Sequence, residues 1–310
     1  ECAGKIFFKT AHLLRNLPDE ALIEMGYPEE TIPILRLKTL EAESVIARFD
    51  FIAHNGGYKC IEMNADTPTF IKELFVVNGQ ICKAFGMKNP NNEMEEMLKS
   101  MVRKSVAQSI FSPDAHIVFT AHDDNIEDYY TTLYIMQFVP GAKFTPLHQL
   151  QIQKGVGLFD EDGKRIDLLY RPTFPIENLI QDEDDAQNRI GLWLMELVEQ
   201  DLLTILNPPS AFLLQNKAVQ AIIWGLHEER NAFFTTEEHE WIAEYFLPTY
   251  LEDSLFIEKG IRYVKKPVFG REGDTVEIFD EDGQLIKEDI QKSYHHYPKV
   301  YQQFIEQPKT

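Results

Sequence analysis

The chain has little cysteine: three residues among 310, Cys2, Cys60 and Cys82. None belongs to a CxxC pair and three cannot all pair with one another, which argues against a disulfide framework and fits reduced thiols in a cytoplasmic protein. Long apolar runs are absent too. None reaches the roughly 18 residues of a membrane span, and the N-terminus lacks the basic, apolar, small-residue succession of a signal peptide. The chain opens on Glu1 rather than methionine, so the gene product is expected to extend beyond these residues. Positive charge is scarce, with 30 Lys and Arg against 50 Asp and Glu and a formal net charge of −20. Such a chain repels nucleic acid and anionic membrane surfaces. It would attract a cationic small molecule such as a polyamine, but many soluble proteins are simply acidic, and the charge argues only against nucleic-acid binding. Internal repeats, low-complexity linkers and a GxxxxGK[ST] phosphate loop are also missing.

What is present is a composition that is 44% hydrophobic, enough for a large core and one to three domains. Periodicity predicts helices over 21–24, 34–43, 72–85, 93–109, 126–138, 189–206, 217–226 and 237–246. Strands are expected over 45–53, 58–64, 116–120, 157–159, 165–170, 261–266, 275–279 and 285–287. Hairpins mixed with alternating segments indicate an α/β or α+β chain. The acidic run 181–187 reads as a solvated loop. Phe-Asp-Glu-Asp-Gly occurs twice, at 159–163 and 279–283. The spaced ligands of a calcium loop are missing, whereas Asp-Gly between apolar alternation marks a hairpin tip.

The most informative stretch runs from Ala47 to Thr69, ARFDFIAHNGGYKCIEMNADTPT. Asn55-Gly56 marks the turn of a hairpin. A register centred on Gly56 sets Phe51 opposite Ile61, Asp50 opposite Glu62, Phe49 opposite Met63 and Arg48 opposite Asn64. One face then carries Phe49, Phe51, Ile61 and Met63 toward the core, and the other carries Arg48, Asp50, Glu62 and Asn64. Two facing carboxylates repel, and a divalent cation would reverse the sign of that interaction. Asp, Glu and Asn oxygens suit magnesium or manganese, with phosphate and water completing the shell. A surface hairpin in which Arg48 pairs with Asp50 or Glu62 is the alternative, and spacing alone does not separate the two.

Two cationic segments accompany this face. Asn207-Pro-Pro leads to Asn216-Lys217-Ala218, which opens a helix, a place that favours anions, although taken alone Lys217 reads as an ordinary solvated lysine in a first turn. Tyr263-Val-Lys-Lys-Pro-Val-Phe-Gly-Arg-Glu-Gly273 runs from a strand into a glycine-bearing loop whose N–H groups can approach phosphate. His295-His296 is expected on an exposed loop rather than at a metal.

Together these residues resemble the synthetase domain of the glutathionylspermidine synthase family. The matching pieces are Arg48-Phe-Asp50, Tyr58-Lys-Cys-Ile-Glu-Met-Asn-Ala-Asp66, Asn125-Ile-Glu-Asp128, Asn216-Lys-Ala218, Val264-Lys-Lys-Pro267, Gly270-Arg-Glu-Gly273 and Tyr301-Gln-Gln303, in the family's order. The resemblance implies an ATP-grasp fold with an N-terminal pre-ATP-grasp-like region. It divides the chain into 1–122 with the metal hairpin, a substrate-side region 123–206 and a nucleotide-binding region 207–310. It implies an ATP-dependent carboxylate–amine ligase working through an acyl phosphate, with ATP and Mg2+ or Mn2+ as cofactors. A small-molecule carboxylate, such as the peptide glutathione, and a polyamine-like amine would be its partners. Asp50, Glu62 and Asn64 would hold the metal. Arg48 would stabilise transition-state charge and, with Asp50, touch ATP. Lys217 and Lys266 would contact phosphates, Glu272 and Gly273 would belong to the covering loop, and Gln302, Gln303, Phe304 and Ile305 would lie by the adenine. Glu127 matches a substrate contact.

This sequence departs from the family pattern in three ways. No cysteine–histidine amidase domain precedes the synthetase part. Thr67-Pro-Thr69 resembles the family's stand-alone relatives. The chain stops at Thr310, where the family continues with further ATP-grasp strands. A catalytically weak ATP-binding relative acting through a partner is the alternative function. A metal-dependent hydrolase would leave Lys217, Lys266 and the glycine loop without a role.

Overall fold

A computed structural model describes residues 1–110, 112 and 114–306. The chain divides into two compact units that are interleaved along the sequence, whereas the three expected regions are consecutive. The first comprises Glu1–Ile32, Phe49–Asn64 and Leu213–Thr310; the second comprises Pro33–Arg48 and Ala65–Phe212.

The first unit holds the five-stranded antiparallel sheet, in spatial order Leu285–Glu288, Glu277–Phe279, Tyr263–Pro267, Lys299–Gln303 and Thr249–Tyr250. Its centre is an aromatic stack. Tyr263 lies parallel to Phe279 at 5.0 Å and to Phe256 at 5.4 Å between centroids, within the range where such pairs add to simple burial. A helix over Cys2–Arg15, which periodicity did not single out, buries Ala3, Ile6, Phe7, Thr10, Ala11 and Leu14 along one stripe. Phe7 meets both Phe49 and Phe246. The helix Thr236–Tyr245 starts with a complete capping box, in which Thr235 and Glu238 bond each other's backbone. At its other end Lys59 donates to the carbonyls of Ala243 and Phe246, supplying the positive charge that a helix C-terminus favours. Lys59 and Phe49 belong to the two hairpin strands, so an ionic cap and an aromatic contact fix where the hairpin sits.

The second unit is built on a four-stranded parallel sheet, ordered Lys143–Phe144, Ile117–Phe119, Leu168–Tyr170 and Thr204–Leu206. Ile-Val-Phe and Leu-Leu-Tyr are buried throughout, as strands covered on both faces must be. Val102 and Val106 of the helix Met94–Ser109 and Tyr134 and Ile135 of the helix Ile126–Met136 complete this core. Asp66 accepts from Arg171 at 2.7 Å and from the Ile176 N–H at 3.0 Å. Asn207 takes part in five hydrogen bonds. Its Oδ1 accepts from the N–H groups of Val45 and Ile46, and its Nδ2 donates to the carbonyls of Ile46, Ala65 and Asp66.

Two segments differ from expectation. The predicted helix 34–43 is only the short helix Ile32–Leu35. The helix predicted over 189–206 ends at Glu199, and Thr204–Leu206 is a parallel strand. The apolar run Leu202–Leu206 fits either element, and pairing with Leu168–Tyr170 decides it.

Both Phe-Asp-Glu-Asp-Gly segments are hairpin tips with one bonding scheme. Asp160 Oδ1 accepts from the N–H groups of Asp162 and Lys164, and Asp280 Oδ1 from those of Asp282 and Gln284. Only Asp160 is fully buried, and its Oδ2 meets Lys143 at 3.0 Å and His116 at 2.7 Å. Burial would raise this carboxyl, but Lys143, the Lys164 N–H and His116 together hold it well below the usual range. Asp160→Asn keeps the acceptor for the turn and places an NH2 group against the Lys143 ammonium and the His116 ring. It should cost about 2 kcal/mol at neutral pH, against less than about 0.5 for Asp280→Asn. Because the folded-state value is depressed, the Asp160 contribution is complete above the unfolded carboxylate range and is lost progressively as pH falls from there through the folded value. Urea titrations of both variants at pH 7 and pH 3 should show the difference narrowing in acid.

Candidate functional site

The hairpin strands Arg48–His54 and Gly57–Asn64 are joined by Asn55 and Gly56, both with positive φ. Asn and Gly accept that conformation most readily. Phe49 and Phe51 lie 6.3 Å apart on one face. The core-facing assignment holds fully only for Met63, which is buried; Phe49 and Ile61 are half-buried and Phe51 is 43% exposed. Phe7 packs against Phe49, and Phe246 packs against Phe7.

On the opposite face Asp50, Glu62 and Asn64 come together. Asn64 Nδ2 donates to Asp50 Oδ2 and to Glu62 Oε1, each at 3.3 Å. The two lysines converge on this face. Lys217, whose side chain is 10% exposed, lies 3.4 Å from Glu62 Oε2 and donates to the Gly270 carbonyl at 2.9 Å. Lys266 donates to Gln302 Oε1 at 2.8 Å and to the Ile61 carbonyl at 3.4 Å. Burial would raise the Glu62 carboxyl, but Lys217 and then Lys266 bring it down to about 2. Burial lowers the Lys266 ammonium to about 8, against the opposing pull of Glu62. The repulsion expected between Asp50 and Glu62 is therefore compensated inside the protein. Cys60, on the strand that carries Glu62, is fully buried, and burial pushes its thiol up to about 12. Burial thus disfavours its thiolate form.

Lys265 and Lys266 point to opposite sides of their strand. Lys265 pairs with Glu277 at 2.9 Å while Lys266 faces Gln302. The following loop turns at Gly270, where a Cβ would come within 2.7 Å of the Pro267 ring. Glu272 and Gly273 are exposed and left-handed, with φ of 55° and 80°. Gln302 is buried. Its Nε2 donates to Gln220 Oε1 and to Thr249 Oγ1, so its side chain is occupied within the unit. The Gln303 and Phe304 N–H groups bond the Pro248 and Arg262 carbonyls, and Ile305 is buried. Arg48 donates to Thr69 Oγ1 at 2.9 Å. Glu127 is exposed in the first turn of the helix Ile126–Met136, its N–H bonded to Asn125. His295 and His296 are exposed.

The sequence did not single out Gln220, Thr249 or the carbonyls of Ile61 and Gly270. Gln220 lies three residues after Lys217, one helical turn on, which was a usable signal. Thr249 carried none.

No group of three or more His, Cys, Asp or Glu suited to a metal occurs among the described residues. Two carboxylates and an amide match the habit of Mg2+, which takes one or two carboxylates and completes its shell with substrate phosphate and water. For Asn64 to serve as a ligand its amide must turn over, because Nδ2 now faces both carboxylates.

A parallel-sheet unit and an antiparallel unit bearing a lysine-flanked acidic hairpin define an α/β protein of the ATP-grasp type. Residues 6–310 match the family described as "Glutathionylspermidine synthase preATP-grasp", and the chain belongs to that family. Over 301 residues it is 25% identical to a trypanothione synthetase of Crithidia fasciculata, covering 90% of this chain and 43% of that protein. Over 274 residues it is 28% identical to a putative acid–amine ligase of Haemophilus influenzae, covering 84% and 63%. The chain thus spans less than two thirds of either relative. A glutathione synthetase-like effector from Globodera pallida shares the fold with a TM-score of 0.55 at 15% identity, covering 98% of this chain and 71% of that one. No helix among the described residues is long and apolar enough to cross a membrane.

Proposed function

We propose that the chain carries the nucleotide and metal site of an ATP-dependent ligase that joins a carboxylate to an amine. The observation behind this reading is the convergence of Lys217 and Lys266 on the Asp50–Glu62–Asn64 face. Two cations beside two carboxylates can receive a metal–triphosphate complex, the carboxylates taking the metal and the lysines the phosphate oxygens. Membership in a synthase family and a relative named as an acid–amine ligase favour this chemistry over hydrolysis.

In this reading Asp50, Glu62 and Asn64 would hold Mg2+ or Mn2+, which would supply charge neutralisation. Lys217 and Lys266 orient the phosphates, and Glu272 and Gly273 belong to the loop that covers them. The backbone from Gln302 to Ile305 borders the adenine, while the Gln302 side chain faces Lys266. Arg48 stabilises negative charge on the transferring phosphoryl group. ATP bound there would supply the phosphoryl group that activates the substrate carboxylate, as an acyl phosphate, for amide formation with the amine, phosphate being the group displaced. Glu127 is assigned to the substrate side, where a carboxylate suits a cationic amine.

The test is the metal dependence of nucleotide binding. A non-hydrolysable ATP analogue should raise the melting temperature only with Mg2+ or Mn2+. At a hundredfold excess over the dissociation constant the stabilisation should be about 2.7 kcal/mol. Equal shifts with and without metal would remove the basis for the assignment.

A further inference from the structure

Lys266 can only donate hydrogen bonds, so it dictates which end of a neighbouring amide it meets. In this structure it meets Gln302 Oε1 at 2.8 Å. The NH2 end of Gln302 must then find acceptors in a buried setting, since an unpaired buried donor is costly. It finds Gln220 Oε1 and Thr249 Oγ1. Gln302, Gln220 and Thr249 are all buried. Gln220 lies in the helix Ala218–Glu228, and the residue capping that helix at its start is Lys217. One helix end therefore carries one lysine of the site and the acceptor that orients the amide facing the other.

We infer that Gln220 is a positioning residue of the site: as an acceptor for Gln302 it keeps the carbonyl oxygen of Gln302 toward Lys266, and through that oxygen it holds the ammonium group beside Glu62. This rests on the reading of Lys266 as a phosphate contact. Acceptor polarity is the feature that matters. An apolar residue at 220 leaves the Gln302 NH2 group with Thr249 alone and lets the amide turn its NH2 group toward the Lys266 ammonium, where two donors face each other. A carboxylate at 220 accepts as the native amide does and keeps the orientation.

The experiment compares wild type, Lys266→Ala, Gln220→Leu and Gln220→Glu in the full protein, at a temperature well below every unfolding midpoint. Calorimetry measures the dissociation constant of a non-hydrolysable ATP analogue with Mg2+. Gln220→Leu should weaken binding by about tenfold, Lys266→Ala by at least as much, and Gln220→Glu by no more than about threefold. In nitrogen-15 spectra the Gln302 side-chain NH2 should be protected from solvent exchange in wild type and in Gln220→Glu, and lose protection in Gln220→Leu. A purely structural role for Gln220 would lower the melting temperature of both variants without this split. The inference is overturned if Gln220→Leu binds as wild type does while Lys266→Ala does not. It is equally overturned if Gln220→Glu is as impaired as Gln220→Leu, or if the amide protection is the same in all proteins. If Lys266→Ala itself binds normally, the phosphate reading of Lys266 fails, and the amide protection alone decides whether Gln220 orients Gln302.

Discussion

Glu62→Gln should reduce Mg2+-dependent ATP turnover by about two orders of magnitude or more while leaving the protein folded. It should also lower the melting temperature, and this second effect separates the structure from the hairpin pattern taken alone. Two facing carboxylates in isolation would relax on losing one charge, and the variant would gain stability. In the structure Lys217 and Lys266 flank Glu62, whose side chain is only 23% exposed. Neutralising Glu62 takes away the counter-charge of two ammonium groups that remain largely enclosed. Removing one partner of a buried ion group is costly even where the intact group adds little net stability. The partial exposure of Glu62 reduces the effect to about 2 kcal/mol. Thermal denaturation without added metal measures the stability change, and ADP release against Mg2+ concentration measures the activity change. A Glu62→Gln protein with the wild-type Mg2+ dependence would sink the proposed metal role. A raised melting temperature would show that the lysines do not compensate the pair.

The hairpin was legible in the sequence because its information is local. Period-two alternation places Asp50, Glu62 and Asn64 on one side, and Asn55-Gly56 positions the turn. The split between Lys265 and Lys266 follows from the same alternation. The hairpin tips at Asp160 and Asp280 were legible for a related reason, since an Asp accepting from the backbone two and four residues on is a short-range motif. What could not be read depends on partners remote in sequence. The exposure of Phe51 depends on which remote residues reach that face, where Phe7 meets Phe49. The compensation of Glu62 needs lysines some 150 and 200 residues away along the chain. The strand Thr204–Leu206 exists because Leu168–Tyr170 offers it a ladder, and an apolar run that short carries no period of its own. The orientation of Gln302 depends on Thr249 and Gln220, and neither has a pattern that marks it as part of a site.

Asn207→Leu should destabilise the parallel-sheet unit by about 4 kcal/mol or more, the largest stability effect expected from any single substitution considered. The side chain is fully buried and its amide serves five backbone groups at 2.8 to 3.0 Å: two N–H donors at Val45 and Ile46 and three carbonyl acceptors at Ile46, Ala65 and Asp66. Leucine has the same heavy-atom branching, is somewhat bulkier, and satisfies none of them. Each buried backbone group left unpaired costs about 1–3 kcal/mol, and partial relaxation keeps the total below a simple sum. Asn207→Asp separates the two ends of the amide. It retains acceptors for the Val45 and Ile46 N–H groups but sets an anion against three carbonyl oxygens, so it should be no more stable than the leucine variant. For a unit of this size a loss of about 4 kcal/mol corresponds to roughly 8–16 °C in melting temperature. Differential scanning calorimetry of the two variants beside wild type is the direct measurement. A melting temperature within about 3 °C of wild type for Asn207→Leu would mean that the segments 45–46 and 65–66 are held by other contacts, and that the Asn207 amide is not what secures them.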